Sequence, residues 1–131
     1  MKQEELTKRI KEGEKYNVLL LDDNDVDNYI HTKLFERYDD FRCNMFRSAK
    51  EALDHLKETH TRYDYLLVDI YMPVMDGFTF VSEFKKCGLQ QKHGEVCILT
   101  CSLSPADKNE AANFGIKYLE KPLAIEKILA S

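Results

Sequence analysis

The feature that most constrains the fold is a regular alternation between short apolar runs and segments with helical periodicity. Apolar residues cluster in five runs, the second of them mixed with polar residues, at positions 18–21, 41–46, 65–68, 96–99 and 116–119. Four intervening segments space their apolar residues as a helix does, at positions 26–38, 48–57, 78–87 and 107–114. Short unbroken runs are typical of strands buried on both faces of a parallel sheet, whereas the wider spacing is typical of amphipathic helices. The alternation therefore predicts an α/β fold with helices packed on a five-stranded sheet.

Residues suited to begin or end helices support these boundaries. Ser48 can cap the second helical segment, and Pro105 suits the first turn of the fourth. Gly88 and Gly115 follow helical segments, where a glycine commonly ends a helix. After Pro122 the remaining residues suffice only for a short last helix of about two turns.

Length and composition indicate one ordinary folded domain. The 131 residues can close a hydrophobic core without disulfides or a structural metal. We expect residues 1–16 to form an N-terminal extension, either a frayed helix or a mobile segment, and residues 17–131 to form the domain. A net charge of −4 argues against a broad surface for nucleic acid or membrane.

Other features of the sequence point to a reducing, cytoplasmic location. The four cysteines form no Cys-x-x-Cys pair, which argues against a zinc or dithiol site. The first 15 residues are almost wholly polar, so no signal peptide is expected. No apolar run approaches the ~20 residues that a membrane span needs.

Polar residues follow four of the five apolar runs. Asp22 and Asp23 follow the first, Asp69 the third, Thr100 the fourth and Lys121 the fifth. Because ligands of doubly wound sheets bind at the carboxyl ends of the strands, these side chains are expected at one edge. Three neighbouring carboxylates repel one another, and hard oxygen ligands suit Mg²⁺. The pattern predicts a magnesium site, although capping of the following helix remains an alternative for Asp22, Asp23 and Asn24.

These residue types also suit phosphoryl transfer. An aspartate can attack phosphorus and form an acyl phosphate. The transfer needs positive charge and hydrogen-bond donors around the phosphoryl oxygens. Lys121 and Thr100 offer an ammonium and a hydroxyl, although each taken singly is also consistent with a surface lysine or a buried strand threonine.

Four blocks of this sequence resemble the receiver domains of two-component response regulators. They are LLLDDN at 19–24, LLVDIYMPVMDG at 66–77, ILTCS at 98–102 and YLEKPL at 118–123. The resemblance covers roughly residues 17 to 126, with the blocks in family order. It implies a flavodoxin-like, doubly wound five-stranded parallel sheet of order 2-1-3-4-5 in a three-layer sandwich.

The resemblance also implies a role for each residue of the acidic group. Asp69 matches the phosphoacceptor of the family. Asp23 would bind Mg²⁺ directly, and Asp22 would bind it directly or through water. The backbone carbonyl of Tyr71 would supply a further ligand oxygen. Tyr71 is also bulkier than many residues at its position, and we expect it to shield a long-lived acyl phosphate from water.

Further roles follow from the other blocks. Thr100 would bond a phosphoryl oxygen after transfer, and Lys121 would pair with the phosphoryl group and, before it arrives, with Asp69. Tyr118 matches the aromatic switch residue, whose inward packing we expect Cys101 to hinder because the family more often has alanine there.

The flanking loop and peptide also have expected features. The peptide before Pro122 is expected to be cis. Gly77 is expected to adopt a backbone conformation that other residues resist. Met72, Pro73 and Asp76 would shape the loop below the site.

Taken together, the residues and the resemblance predict a single-domain response regulator. Its phosphoryl donor would be a phosphohistidine on a sensor histidine kinase or a histidine phosphotransfer protein, docking near residues 26–38. Phosphorylation would bias the surface around residues 104–118 toward an unidentified downstream protein. The chain would catalyse its own phosphorylation and dephosphorylation without turning over a separate substrate, as a monomer or weak dimer.

Three other interpretations were considered. The spacing of Asp23 and Asp25 resembles the start of haloacid-dehalogenase-type phosphatases, but no second acidic motif follows Lys121. A calcium loop is excluded because its sixth position is Asn28 rather than glycine and its twelfth is Leu34 rather than glutamate. A pseudo-receiver that binds proteins without phosphate remains the alternative, although the intact polar set argues against it.

Overall fold

Five parallel strands alternate with helices in the part of the chain that the computed structural model describes, residues 15–129. The elements are β1 (Tyr16–Leu21), α1 (Asp25–Glu36), β2 (Phe41–Phe46), α2 (Ala49–Glu58), β3 (Tyr65–Val68), α3 (Gly77–Lys86), β4 (Glu95–Thr100), α4 (Pro105–Phe114), β5 (Lys117–Glu120) and α5 (Ile125–Leu129). The strand order is β2-β1-β3-β4-β5. This order confirms the predicted flavodoxin-like fold. Residues 1–14 of the predicted N-terminal extension lie outside the described residues.

The sheet separates two hydrophobic clusters. Leu19 and Leu21 of β1 join a buried cluster with side chains of α2, α3 and α4. Val18 and Leu20 join a second cluster with side chains of α1 and α5. Because β1 contributes to both clusters, it needs apolar residues at consecutive positions, which explains its unbroken run. Among residues 15–129, no helix is long and apolar enough to cross a bilayer.

The helix ends agree with the residues predicted to cap them. The Ser48 side chain accepts a hydrogen bond from the backbone N–H of Glu51 at 3.4 Å and caps α2. Gly88 and Gly115 adopt left-handed conformations, with φ of 70° and 72°, as predicted for residues that follow helices.

Two element boundaries differ from the sequence prediction. Strand β1 begins at Tyr16, which the prediction assigned to the N-terminal extension, because its ring is fully buried between Phe41 and Tyr65. Helix α4 begins at Pro105, two residues before the predicted helical spacing of 107–114 but at the proline predicted to suit its first turn, where the missing N–H needs no acceptor.

Hydrogen bonds that continue the parallel ladder bring the strand ends to one edge of the sheet. The N–H of Asp22 donates to Phe46 O at 3.0 Å, and the N–H of Asp69 donates to Leu21 O at 2.9 Å. Backbone hydrogen bonds therefore position Asp22 and Asp69, the polar residues after β1 and β3, independently of their side-chain contacts.

Near the amino end of β4, a buried histidine connects helix α2 with the loop before β3. His93 is 3% exposed; its Nδ1 accepts from the Tyr63 N–H at 3.1 Å, and its Nε2 lies 3.0 Å from the Leu56 carbonyl oxygen. This pairing fits a neutral imidazole with its proton on Nε2. Burial lowers the pKa of His93 below its ordinary value of 6.5, despite the opposing effect of the bond to Leu56.

We predict that His93 makes stability depend on pH. Because the pKa of His93 is lower in the folded chain than in the unfolded chain, the unfolded chain takes up a proton first as the pH falls. The stabilisation that His93 provides is therefore complete above a pH of about 6.5 and is lost below it. His93→Phe should lower the free energy of unfolding by about 1–3 kcal/mol at pH 7.5, since the Tyr63 N–H loses its acceptor. The difference from wild type should narrow at pH 5.5. Urea unfolding at both pH values measures it.

His60, which is exposed, provides the control. His60→Phe should leave both the stability and its pH dependence close to wild type. An unfolding free energy of His93→Phe that keeps the full wild-type pH dependence would contradict the assignment.

Candidate functional site

Three carboxylates converge beyond the carboxyl ends of β1 and β3. Asp22, Asp23 and Asp69 each offer one oxygen that lies within 4.8 Å of the other two. Asp22 and Asp69 are buried, with 1% and 9% exposure, and Asp23 is half-buried. The predicted acidic group therefore exists as a cluster.

The electrostatics of Asp69 reflect this crowding. Burial raises the pKa of Asp69 above its usual range, and the neighbouring charge of Asp22 adds to the effect. Lys121 and a hydrogen bond from Thr100 act in the opposite direction. A carboxylate in such surroundings gains stability from any cation that binds beside it.

The donor set fits Mg²⁺. All three side chains supply hard oxygen ligands, which this ion prefers. One oxygen of each side chain lies within 4.8 Å of the other two, close enough for a single ion to contact all three. Asp23, Asp22 and Asp69 are thus suited to hold the ion.

Lys121 lies inside the acidic cluster. Its Nζ is 2.6 Å from Asp22 Oδ2, 2.7 Å from Asp27 Oδ2 and 3.5 Å from Asp69 Oδ2. Burial of the side chain opposes its charge, but the hydrogen bonds that Lys121 donates to Asp22 and Asp27 outweigh burial and raise the pKa of Lys121. The pairing expected with Asp69 is present, yet it is the longest of the three contacts.

Asp27 is a site residue that the sequence interpretation missed. Its carboxylate contacts Lys121 directly. A signal was available, because Asp27 lies in the first turn of α1 and helical side chains tilt toward the helix N-terminus. That tilt returns its carboxylate to the strand end.

The alternative of helix capping applies to Asn24 and not to the paired acids. The Asn24 side chain accepts from the Asp27 N–H at 2.9 Å and caps α1. Asp22 Oδ1 accepts from the Asn24 N–H at 2.9 Å, while its other oxygen meets Lys121.

Thr100 and Tyr118 are connected through the loop after β4. Thr100 is 1% exposed and its Oγ1 accepts from the Ser102 N–H at 3.2 Å. The Tyr118 hydroxyl donates to the Ser102 carbonyl at 2.6 Å, and its ring packs against the cluster beneath α2, α3 and α4. Cys101 is exposed, and the expectation that it hinders inward packing of Tyr118 stays a prediction.

Tyr71 makes a contact that the sequence did not predict. Its side chain is 62% exposed, and its hydroxyl donates to Asp107 Oδ2 at 2.5 Å. This bond raises the pKa of Tyr71, because the carboxylate stabilises the protonated hydroxyl. Asp107, half-buried in the first turn of α4, carried no sequence signal beyond being an acidic residue.

The reason given for Gly77 was wrong, whereas the peptide geometry before Pro122 was predicted correctly. Gly77 has no positive φ; instead, a Cβ at this position would clash with the backbone oxygen of Asp69. The loop after Asp69 therefore requires glycine for close approach rather than for conformation. The Lys121–Pro122 peptide is cis.

Comparison with known proteins agrees with this geometry. The family model of the response regulator receiver domain matches residues 18–131. Two-component response regulator 24 of Arabidopsis thaliana is 30% identical, over 88% of this chain and 81% of that protein. Hybrid signal transduction histidine kinase M of Dictyostelium discoideum is 31% identical over 81% of this chain, which corresponds to only 4% of that protein.

Solved structures give the same result. A two-component response regulator from Cytophaga hutchinsonii has a TM-score of 0.77 at 26% identity, covering 88% of this chain and 92% of that one. A response regulator protein from Burkholderia pseudomallei, with a phosphorylated aspartic acid, calcium ion and citrate, has a TM-score of 0.69 at 26% identity, covering 88% and 65%. The chain belongs to the response regulator receiver domain family, whose members act in two-component signalling.

We predict that the Asp27–Lys121 contact stabilises the fold. Asp27→Asn should lower the free energy of unfolding by about 1–2 kcal/mol, because it removes one charged partner of a buried ammonium. Chemical denaturation in metal-free buffer measures the change.

Asp25 provides a matched control on the same helical turn. It pairs with Arg47 at 2.8 Å, but both side chains are more than half exposed, so Asp25→Asn should cost less than about 0.5 kcal/mol. Equal losses in the two variants would show that the contact with Lys121 contributes nothing specific.

Proposed function

We propose that this chain is a single-domain response regulator that accepts a phosphoryl group from a phosphohistidine onto Asp69 in a Mg²⁺-dependent reaction. The observation that carries the proposal is the convergence of Asp22, Asp23, Lys121 and Thr100 around one buried carboxylate. The match to two-component response regulator 24 of Arabidopsis thaliana, which covers 81% of that protein, supports a role as a response regulator.

The residues of the site divide the work of transfer. An Asp69 oxygen attacks phosphorus, the phosphorus–nitrogen bond of the donor breaks, and the imidazole nitrogen keeps the electron pair and takes up a proton. Mg²⁺, when held by Asp22, Asp23, Asp69 and the Tyr71 carbonyl, supplies positive charge to the phosphoryl oxygens. The calcium ion and phosphorylated aspartic acid in the Burkholderia pseudomallei neighbour support a divalent ion at this position.

Lys121 and Thr100 complete the binding of the phosphoryl group. Both side chains are almost fully buried, so their interactions with an anion are stronger than they would be in water. Lys121 moves from Asp27 toward the incoming anion, while Thr100 turns its hydroxyl to a phosphoryl oxygen.

Output follows from the loop that Thr100 begins. When Thr100 turns to the phosphoryl group, it pulls on the loop that carries Ser102, and the hydroxyl of Tyr118 is bonded to this loop. Phosphorylation therefore biases the surface of α4 and β5 toward a protein partner.

The face of α1 is suited to bind the phosphoryl donor. Val26, Tyr29 and Ile30 are 67%, 65% and 45% exposed, a concentration of apolar side chains that is uncommon on a solvated helix. Tyr29 and Ile30 border a groove of about 300 Å³ that extends to the loop following Lys121. An apolar helix of a histidine kinase or phosphotransfer protein fits this groove beside the phosphoacceptor.

We predict that the chain gains one phosphate when it is incubated with Mg²⁺ and acetyl phosphate. Asp69→Asn or removal of Mg²⁺ with EDTA should reduce incorporation at least about a hundredfold, because the nucleophile or the charge that it needs is lost. Intact-mass spectrometry measures incorporation, and fragment masses locate the phosphate.

Asp54, exposed on α2, provides the control, and Asp54→Asn should behave as wild type. Phosphate on Asp23 would favour the phosphatase-type interpretation, whereas absence of any phosphate would favour the pseudo-receiver.

We predict that the α1 face distinguishes protein donors from small ones. Tyr29→Ala should slow transfer from a phosphorylated histidine phosphotransfer protein by about tenfold, as expected for an aromatic side chain at an interface. Its phosphorylation by acetyl phosphate should stay at the wild-type rate, since Tyr29 makes no contact with the cluster.

Met45→Ala, which removes a 40% exposed apolar side chain from edge strand β2, should leave both rates unchanged. If Tyr29→Ala slowed phosphoryl transfer from both donors equally, or slowed transfer from neither, the docking assignment would be incorrect.

A further inference from the structure

The carboxylate of Asp107 joins the two loops that border the acceptor site. Tyr71 follows Asp69 by two residues after β3, and Ser102 follows Thr100 by two residues after β4. The Tyr71 hydroxyl donates to Asp107 Oδ2 at 2.5 Å, and the Ser102 hydroxyl donates to the same oxygen at 2.6 Å. We call Tyr71, Ser102 and Asp107 the Asp107 bridge.

The bridge, rather than packing, fixes the position of the Tyr71 ring. The side chain is 62% exposed, so few apolar contacts restrain it. Both bonds to Asp107 are short and have an ionised acceptor, the arrangement in which hydrogen bonds are strongest. Without the carboxylate, the exposed ring would be free to rotate among its usual rotamers.

The bridge is continuous with the residues that contact the phosphoacceptor. The Ser102 N–H donates to Thr100 Oγ1 at 3.2 Å, and Thr100 hydrogen-bonds Asp69. The Ser102 carbonyl accepts from Tyr118. The side chain of Tyr71, two residues after Asp69, is bonded to Asp107 and therefore spans the gap between the loops after β3 and β4.

We propose that Asp107 is a positioning residue that holds the Tyr71 ring over the approach to Asp69 and so slows hydrolysis of the acyl phosphate. In that hydrolysis a water oxygen bonds to phosphorus, and the bond from phosphorus to the Asp69 oxygen breaks with its electron pair left on the carboxylate. One water proton leaves on inorganic phosphate and the other passes to solvent. The inference rests on the proposed function and assigns its dephosphorylation rate to a contact outside the acidic cluster.

Positioning by the Asp107 bridge and shielding by the size of Tyr71 alone predict different rates of acyl phosphate hydrolysis in Tyr71→Phe. If size were sufficient, Tyr71→Phe would keep the shielding, because phenylalanine has the same ring. If the bond to Asp107 holds the ring, Tyr71→Phe and Asp107→Ala lose the same restraint. Hydrolysis then proceeds from conformers in which the ring is released, and their population rises by the factor that one hydrogen bond contributes, about threefold or more.

The test is a double-mutant cycle on the lifetime of phosphorylated Asp69. Wild type, Tyr71→Phe, Asp107→Ala and the double variant are phosphorylated with acetyl phosphate and Mg²⁺, freed of donor and followed by intact mass. We expect each single variant to shorten the half-life about threefold or more, and the double variant to match the single ones. A Tyr71 Cζ NMR titration should also show a lower pKa for Tyr71 in Asp107→Ala.

Glu110 supplies the matched control, since it is an exposed acid one turn further along α4. Glu110→Ala should retain the wild-type lifetime. Unchanged lifetimes in Tyr71→Phe, or effects that add in the double variant, would overturn the role of Asp107. Should Asp107→Ala fail to fold, Tyr71→Phe still decides between the bond and the bulk.

Failure of the proposed function gives a different result. In that case wild type gains no phosphate at all, and the inference falls with it. If wild type gains phosphate but Tyr71→Phe and Asp107→Ala lose it at the wild-type rate, only the role of Asp107 is overturned.

Discussion

The site depends on one ammonium group placed among four carboxylates. Lys121 neutralises part of the charge of Asp22, Asp27 and Asp69, and Asp23 completes the group. The net charge of these five side chains remains negative, which favours binding of a divalent cation. Because the lysine and two of the acids are nearly buried, water screens these charges poorly and each rearrangement has a large energetic effect. The arrangement is therefore poised to respond to a metal ion and to an anion.

The sheet makes this electrostatic balance possible. Backbone bonds after β1 and β3 fix Asp22 and Asp69, and the bond from the Lys121 N–H to Thr100 O at 3.0 Å fixes the end of β5 beside β4. The apolar cores on both faces keep the strands in register. The acidic side chains thus project from strand ends that backbone hydrogen bonds hold in place.

The sequence predicted the sheet and the acidic cluster because both follow from local patterns. An unbroken apolar run such as residues 18–21 indicates a strand buried on both faces, and the carboxyl end of a parallel strand has a known position. Asp27 and Asp107 could not be assigned in this way, since their roles depend on where a helix begins and which loop lies opposite. The requirement for Gly77 was recognised, but its cause, the close approach to the Asp69 carbonyl, is a tertiary contact.

The central claim is that Lys121 leaves Asp27 for a phosphoryl group bound to Asp69. A crystal structure grown with Mg²⁺ and beryllium trifluoride, which mimics an acyl phosphate, tests it most directly. The account predicts the beryllium on an Asp69 oxygen, the metal between Asp22, Asp23 and the Tyr71 carbonyl, and Lys121 Nζ on a fluorine. A structure with Lys121 still bonded to Asp27 and no ligand on Asp69 would contradict it.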